Sequence, residues 1–67
     1  MKVKFTLKDK YAESVLKMKV GDYVVLDGMS SVNGIPQNGQ LKAAIEEKFG
    51  VKISTTPQSS SFDKEQA

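Results

Sequence analysis

The chain contains no cysteine, no histidine, no arginine and no tryptophan, and each gap removes a class of behaviour. Without cysteine no disulfide can staple a chain of 67 residues, and without cysteine or histidine no soft-metal site can replace one. The same two absences take away the commonest general base and the best thiol nucleophile, so the expectation is a protein that is not an enzyme and carries no cofactor. The carboxylates that remain, Asp9, Glu13, Asp22, Asp27, Glu46, Glu47, Asp63 and Glu65, sit beside turns or at helix positions facing water, where solvation is their expected role. With arginine missing, every basic side chain is a lysine, a hydrated point charge rather than the planar fork that reads guanine edges and grips phosphates bidentately. Long apolar runs are missing too. None approaches the roughly eighteen residues of a membrane span, and the N-terminus alternates instead of forming a signal-peptide core. A soluble, cytoplasmic protein with no membrane partner is expected.

A chain of this size makes one domain and buries a smaller fraction of its surface than a larger one. Self-association into a homo-oligomer, a homodimer being the simplest, is the support that composition leaves open. Net charge is +2, unevenly placed: within the first twenty residues Lys2, Lys4, Lys8, Lys10, Lys17 and Lys19 stand against Asp9 and Glu13, a local +4.

The most apolar stretch, Gly21 to Ile35, reads as a hairpin. Tyr23 to Leu26 is β-branched and aromatic, Asp27-Gly28 offers the positive φ angles of a type I′ turn, and Met29 to Val32 would fold back along it. Before it, residues 2–7 alternate strictly, with Val3, Phe5 and Leu7 on one face and Lys2, Lys4 and Thr6 on the other, which predicts a half-buried strand. Residues 9–18 admit two readings. As a helix, Tyr11, Val15 and Met18 recur at helical spacing with Ala12 and Leu16 beside them, and the composition favours it. As a strand, residues 14–20 would place Leu16, Met18 and Val20 on one face and Lys17 and Lys19 on the other, with Gly21-Asp22 as a hairpin turn. The helix is preferred.

Residues 33–39, Asn-Gly-Ile-Pro-Gln-Asn-Gly, form a surface loop by their turn chemistry. Asn33, Gly34, Ile35, Pro36, Gln37 and Asn38 are the candidate partner-binding residues, because such loops carry function and Ile35 before Pro36 is biased towards an extended conformation that would present it outward, although a plug at the edge of the core is the preferred role for Ile35. The glycine spacing matches neither phosphate-binding fingerprint, GxGxxG or GxxxxGK[ST]. In residues 40–49, Leu41, Ala44, Ile45 and Phe49 make one helical stripe, with Asn38 as N-cap, Phe49 as a core anchor and Gly50 as the left-handed stop. Residues 51–55 read as a last strand. From residue 57 to 67 the composition turns polar and serine-rich, predicting a disordered tail after a single domain of residues 1–56.

The resulting order, β-α-β-β-α-β, predicts an α+β fold: a small antiparallel sheet with two helices on one face, in ferredoxin-like order. A small curled β-sheet or barrel with one helix is the alternative if residues 14–20 are a strand. RNA-recognition sheets of this order expose aromatics for base stacking, and here Phe5 shares its face with Val3 and Leu7, which marks it as core. The functional expectation is a small non-enzymatic protein-interaction module, a regulator or inhibitor that occludes part of a larger protein partner. Phage-encoded modulators offer an analogy of size and composition. The alternative is weak, sequence-independent nucleic-acid binding through a basic surface formed by Lys2, Lys4, Lys17 and Lys19.

Overall fold

Alternation in residues 2–7 produces the central element of the molecule. In the computed structural model, which describes residues 1–36 and 39–67, β1 (Val3–Leu7) buries Val3, Phe5 and Leu7 and turns Lys4 and Thr6 to the other face. It is flanked by β2 (Tyr23–Leu26) and β3 (Phe62–Gln66), both antiparallel to it, in the order β2-β1-β3. Two helices, α1 (Glu13–Leu16) and α2 (Gln40–Phe49), complete a small α+β architecture. Their buried residues Leu16, Leu41 and Ile45 join Val3, Phe5, Leu7, Val24, Leu26 and Phe62 in one core cluster, together with Met18, Met29 and Ile53. Among the described residues the order is β-α-β-α-β with three antiparallel strands, so the expected antiparallel sheet with two helices is present while the four-stranded β-α-β-β-α-β order is met only in part. It is not a curled sheet with one helix.

The expected hairpin does not form. In its register Val24 and Val25 would face Ser31 and Ser30, whereas β1 offers Phe5 opposite Val24 and Val3 opposite Leu26. Apolar cross-strand pairs are the stronger choice. Asp27-Gly28 becomes a bulge rather than a turn: Met1 and Met29 exchange backbone hydrogen bonds of 2.9 and 3.0 Å, so two residues, Asp27 and Gly28, oppose Lys2 alone. Gly28 supplies the positive φ of 82° at this offset, and its N–H donates to the Asp27 carboxylate at 2.8 Å.

Residues 9–18 are only partly helical. Asp9 accepts from the Tyr11 N–H at 3.0 Å and caps a 3-10 turn, Lys10–Ala12, which runs into the single turn of α1. Lys17, at φ 55°, ends it in the left-handed conformation. The buried stripe is Ala12, Leu16 and Met18, while Tyr11 is 92% exposed. Beyond α1 the chain is held by carboxylates instead of a strand partner: Glu13 accepts from Val20 N–H at 2.8 Å and Asp22 from Lys19 N–H at 3.0 Å.

α2 follows its stripe closely. Leu41 and Ile45 are buried, Ala44 and Phe49 pack on the cluster's edge, and Gly50 at φ 64° returns its N–H to the Glu46 carbonyl. The residue preceding the helix is Gly39, and Asn38, the expected cap, lies outside the described residues. Phe49 is half-buried at the rim, not a central anchor.

Two assignments at the C-terminal end exchange roles. Residues 51–55 form no strand, and the Ile53 N–H is satisfied by the Glu46 carboxylate at 3.0 Å instead of by a ladder. Residues 62–66, expected to be disordered, are β3. Phe62 is 1% exposed and meets Phe5 edge-to-face at 6.1 Å between ring centroids. One buried aromatic, with the unsatisfied backbone of β1 beside it, outweighs the polar composition of the segment.

Candidate protein-interaction site

The loop between β2 and α2 is closed at its base. Gln40 Nε2 donates to the Asp27 carbonyl at 3.0 Å, fastening the start of the helix to the end of the strand. Within it, Gly34 N–H donates to the Ser31 carbonyl at 3.2 Å, and a Cβ at Gly34 would meet that oxygen at 3.2 Å and the Ser31 hydroxyl at 3.3 Å. Glycine is what lets the turn close this tightly. The consequence falls on the next residue: Ile35 is 89% exposed, the most open of the large aliphatic side chains among the described residues.

Ile35 stands between two concavities. One, of about 470 Å³, includes Gly28, Met29 and Ser30; the other, of about 480 Å³, runs between Pro36, Leu41 and Lys42 and the segment Pro57 to Ser60. Such an apolar knob with hollows on both sides suits insertion into a complementary surface. Of the sequence-predicted loop residues, Ile35 and Pro36 line these concavities, Gly34 closes the turn before them, Asn33 lines neither, and Gln37 and Asn38 lie outside the described residues.

Lys2, Lys4, Lys17 and Lys19 lie on two different parts of the fold, at β1 and in the segment after α1. Lys2 and Lys4 belong to the outer side of the sheet, where Lys4 Nζ lies 3.8 Å from Glu65 and Lys8 Nζ lies 3.7 Å from Asp63. Lys17 and Lys19 lie in the segment after α1, in a shallow recess that also contains Glu13 and Asp22. Carboxylates from β3 and from the α1 region thus neighbour most of the cations that sequence reasoning grouped by position.

A further cluster had no one-dimensional signal. Lys48, on α2, donates to the Tyr23 carbonyl at 2.6 Å, and its ammonium sits 3.4 Å from the Tyr23 ring centroid, with that of Lys4 at 4.5 Å. These residues are far apart in sequence: the packing of α2 along β2 brings Lys48 to Tyr23, and the pairing of β1 with β2 brings Lys4.

Among the described residues no group of three or more carboxylates, cysteines or histidines could hold a metal ion, and no helix is long and apolar enough to cross a membrane. In comparison with known proteins, no family model, no curated protein and no solved structure matches the chain.

Proposed function

We propose that this chain is a non-enzymatic interaction module that regulates or inhibits a larger protein by covering part of its surface, with the Ile35 loop as the contact. The exposure of Ile35 carries this reading. Burying an isoleucine fully is worth about 1.5–3 kcal/mol, and here Gln40 fastens the base of the loop to the Asp27 carbonyl. The pairing of Lys4 and Lys8 with acidic residues of β3 weighs against the nucleic-acid alternative, since a phosphate backbone would have to displace those carboxylates.

The test is affinity capture from lysate of the source cells on the immobilised full chain, with the Ile35→Asp variant alongside and mass spectrometry as the readout. The expected result is a larger protein retained by the wild type and lost with the variant, whose circular dichroism stays unchanged. Retention of the same protein by both chains, or recovery of nuclease-sensitive nucleic acid in its place, would refute the proposal.

A further inference from the structure

The backbone of β1 divides its hydrogen bonds by parity. Leu7 N–H donates to the Asp22 carbonyl at 2.9 Å and its carbonyl accepts from Gly21 at 3.0 Å, while Lys8 N–H donates to Ser61 and the Lys2 carbonyl accepts from Ala67. Odd-numbered residues of β1 thus face β2, and even-numbered ones face β3. With Phe5 opposite Val24 and Val3 opposite Leu26, the inward bonds of β2 belong to Val24 and Leu26. Tyr23 and Val25 direct theirs to the open side. Lys48 occupies the Tyr23 carbonyl, and among the described residues nothing reaches the Val25 N–H or C=O. Alongside this edge runs a groove of about 290 Å³, bounded by Val24 and Val25 on the strand and by Ala44, Glu47 and Lys48 on α2.

We propose that the β2 edge takes an extended segment of a protein partner as a fourth strand, with an acidic side chain of that segment beside Lys48. The chemistry of the occupant follows from what the edge leaves open. Unpaired N–H and C=O groups at strand spacing call for another extended backbone. Small Ala44 leaves space for one apolar side chain in the groove, and on the outer face the exposed side chains of Tyr23 and Val25 gain cross-strand neighbours.

Lys48 and Lys4 converge on Tyr23, and Lys48 has no ion-pair partner among the described residues, so the complementary charge is negative. On docking, an N–H of the incoming strand replaces the ammonium at the Tyr23 carbonyl, and the released ammonium pairs with the incoming carboxylate. Glu47, one residue along and closer to Ala44 on the helix, disfavours an acid farther down the groove and so fixes its position at the Tyr23 end. A second copy of this chain fits less well. Its own edge, Tyr-Val-Val-Leu, carries no acid, the flanking Asp22 and Asp27 carboxylates are already held by the Lys19 and Gly28 N–H groups, and joining two edges brings a second Lys48 to the junction.

This surface is separate from the Ile35 loop, and the experiment distinguishes the two. Random peptides displayed on phage are selected against the full chain, and the recovered sequences are synthesised and titrated into isotope-labelled protein by NMR. Expected are β-branched peptides with one Asp or Glu, shifting the amides of Tyr23, Val25 and Ala44. Lys48→Glu should weaken them about tenfold or more while leaving circular dichroism intact, and Ile35→Asp should leave their affinity unchanged. Shifts confined to other elements, equal binding by Lys48→Glu, or no binding up to about 1 mM would overturn the proposal. So would sedimentation of the free chain as a dimer whose dilution moves the same amides.

Discussion

At the β2 edge an apolar strand is bordered by a helix, and a single lysine reaches over to cap a carbonyl; at the β3 edge the strand carries its own protection. Tyr23 to Leu26 contains no charge, whereas Asp63, Lys64 and Glu65 make β3 a poor template for a stray strand. Anchorage differs in the same way. β2 is held by Val24 and Leu26 in the core and by α2 along its length, while β3 is held by Phe62 at one end and the β1 ladder along the rest. A central strand with its own apolar face thus needs little from its neighbours. One edge contributes two core side chains and a helix, the other one aromatic ring and a set of hydrogen bonds.

The sharpest way to break that comparison is to remove the single anchor. Phe62→Ala should cost about 3–5 kcal/mol, as for other fully buried phenylalanines, and in a domain of this size it should abolish the folded state. Truncation after Pro57 should do the same, since it also strips β1 of its partners from Leu7 to Val3. A well-dispersed NMR spectrum from the truncated chain at room temperature would restore the reading of residues 58–67 as a dispensable tail.

A milder change probes the other edge. Phe49 packs half-buried against the rim of the core near β2, so Phe49→Ala should cost less than Phe62→Ala, on the order of 1–2 kcal/mol. For a domain of this length that is roughly a 4–16 °C drop in melting temperature. Urea denaturation of the two variants side by side gives the ranking. If Phe49→Ala proved the more damaging, the β2 side, not the β3 side, would hold the sensitive contact.

What the sequence made legible follows the range of the forces involved. β1 and α2 were readable because their periodicities, 2 and 3.6, are complete within a few turns of chain, and Gly50 marks the helix end by its own backbone preference. The loop around Ile35 was readable from its turn residues, but Ile35 itself, preferred as a plug at the edge of the core, is exposed instead. The partner of Tyr23 to Leu26 was not, because a local Asp-Gly signal suited a hairpin while the better apolar match, Val3 and Phe5, lay some twenty residues away. β3 was hidden for the same reason. Its composition is polar, and only Phe62 and the unsatisfied edge of β1, which are distant in sequence from each other, make it a strand. The Tyr23–Lys48 contact joins two such misjudged or distant elements and carries no signature of its own.

The smallest expected effect concerns the charges that distinguish the β3 edge. Lys4–Glu65 and Lys8–Asp63 are long pairs, 3.8 and 3.7 Å, between side chains well exposed to water. Solvent-exposed pairs of this kind contribute about 0–1 kcal/mol each and weaken as salt is added. Lys8→Gln should therefore shift the urea midpoint little, and the shift should vanish in molar salt. Lys4→Gln should cost slightly more and retain part of its effect in salt, because the Lys4 ammonium also lies 4.5 Å from the Tyr23 ring, a contact worth about 0.5–1 kcal/mol at an exposed site. Equal, fully salt-sensitive effects from the two variants would remove Lys4 from the Tyr23 cluster and leave it as a β3 charge alone. A loss above about 2 kcal/mol from Lys8→Gln that persists in salt would exceed what an exposed pair can supply, and would mean that β3 is held by its charges as well as by Phe62.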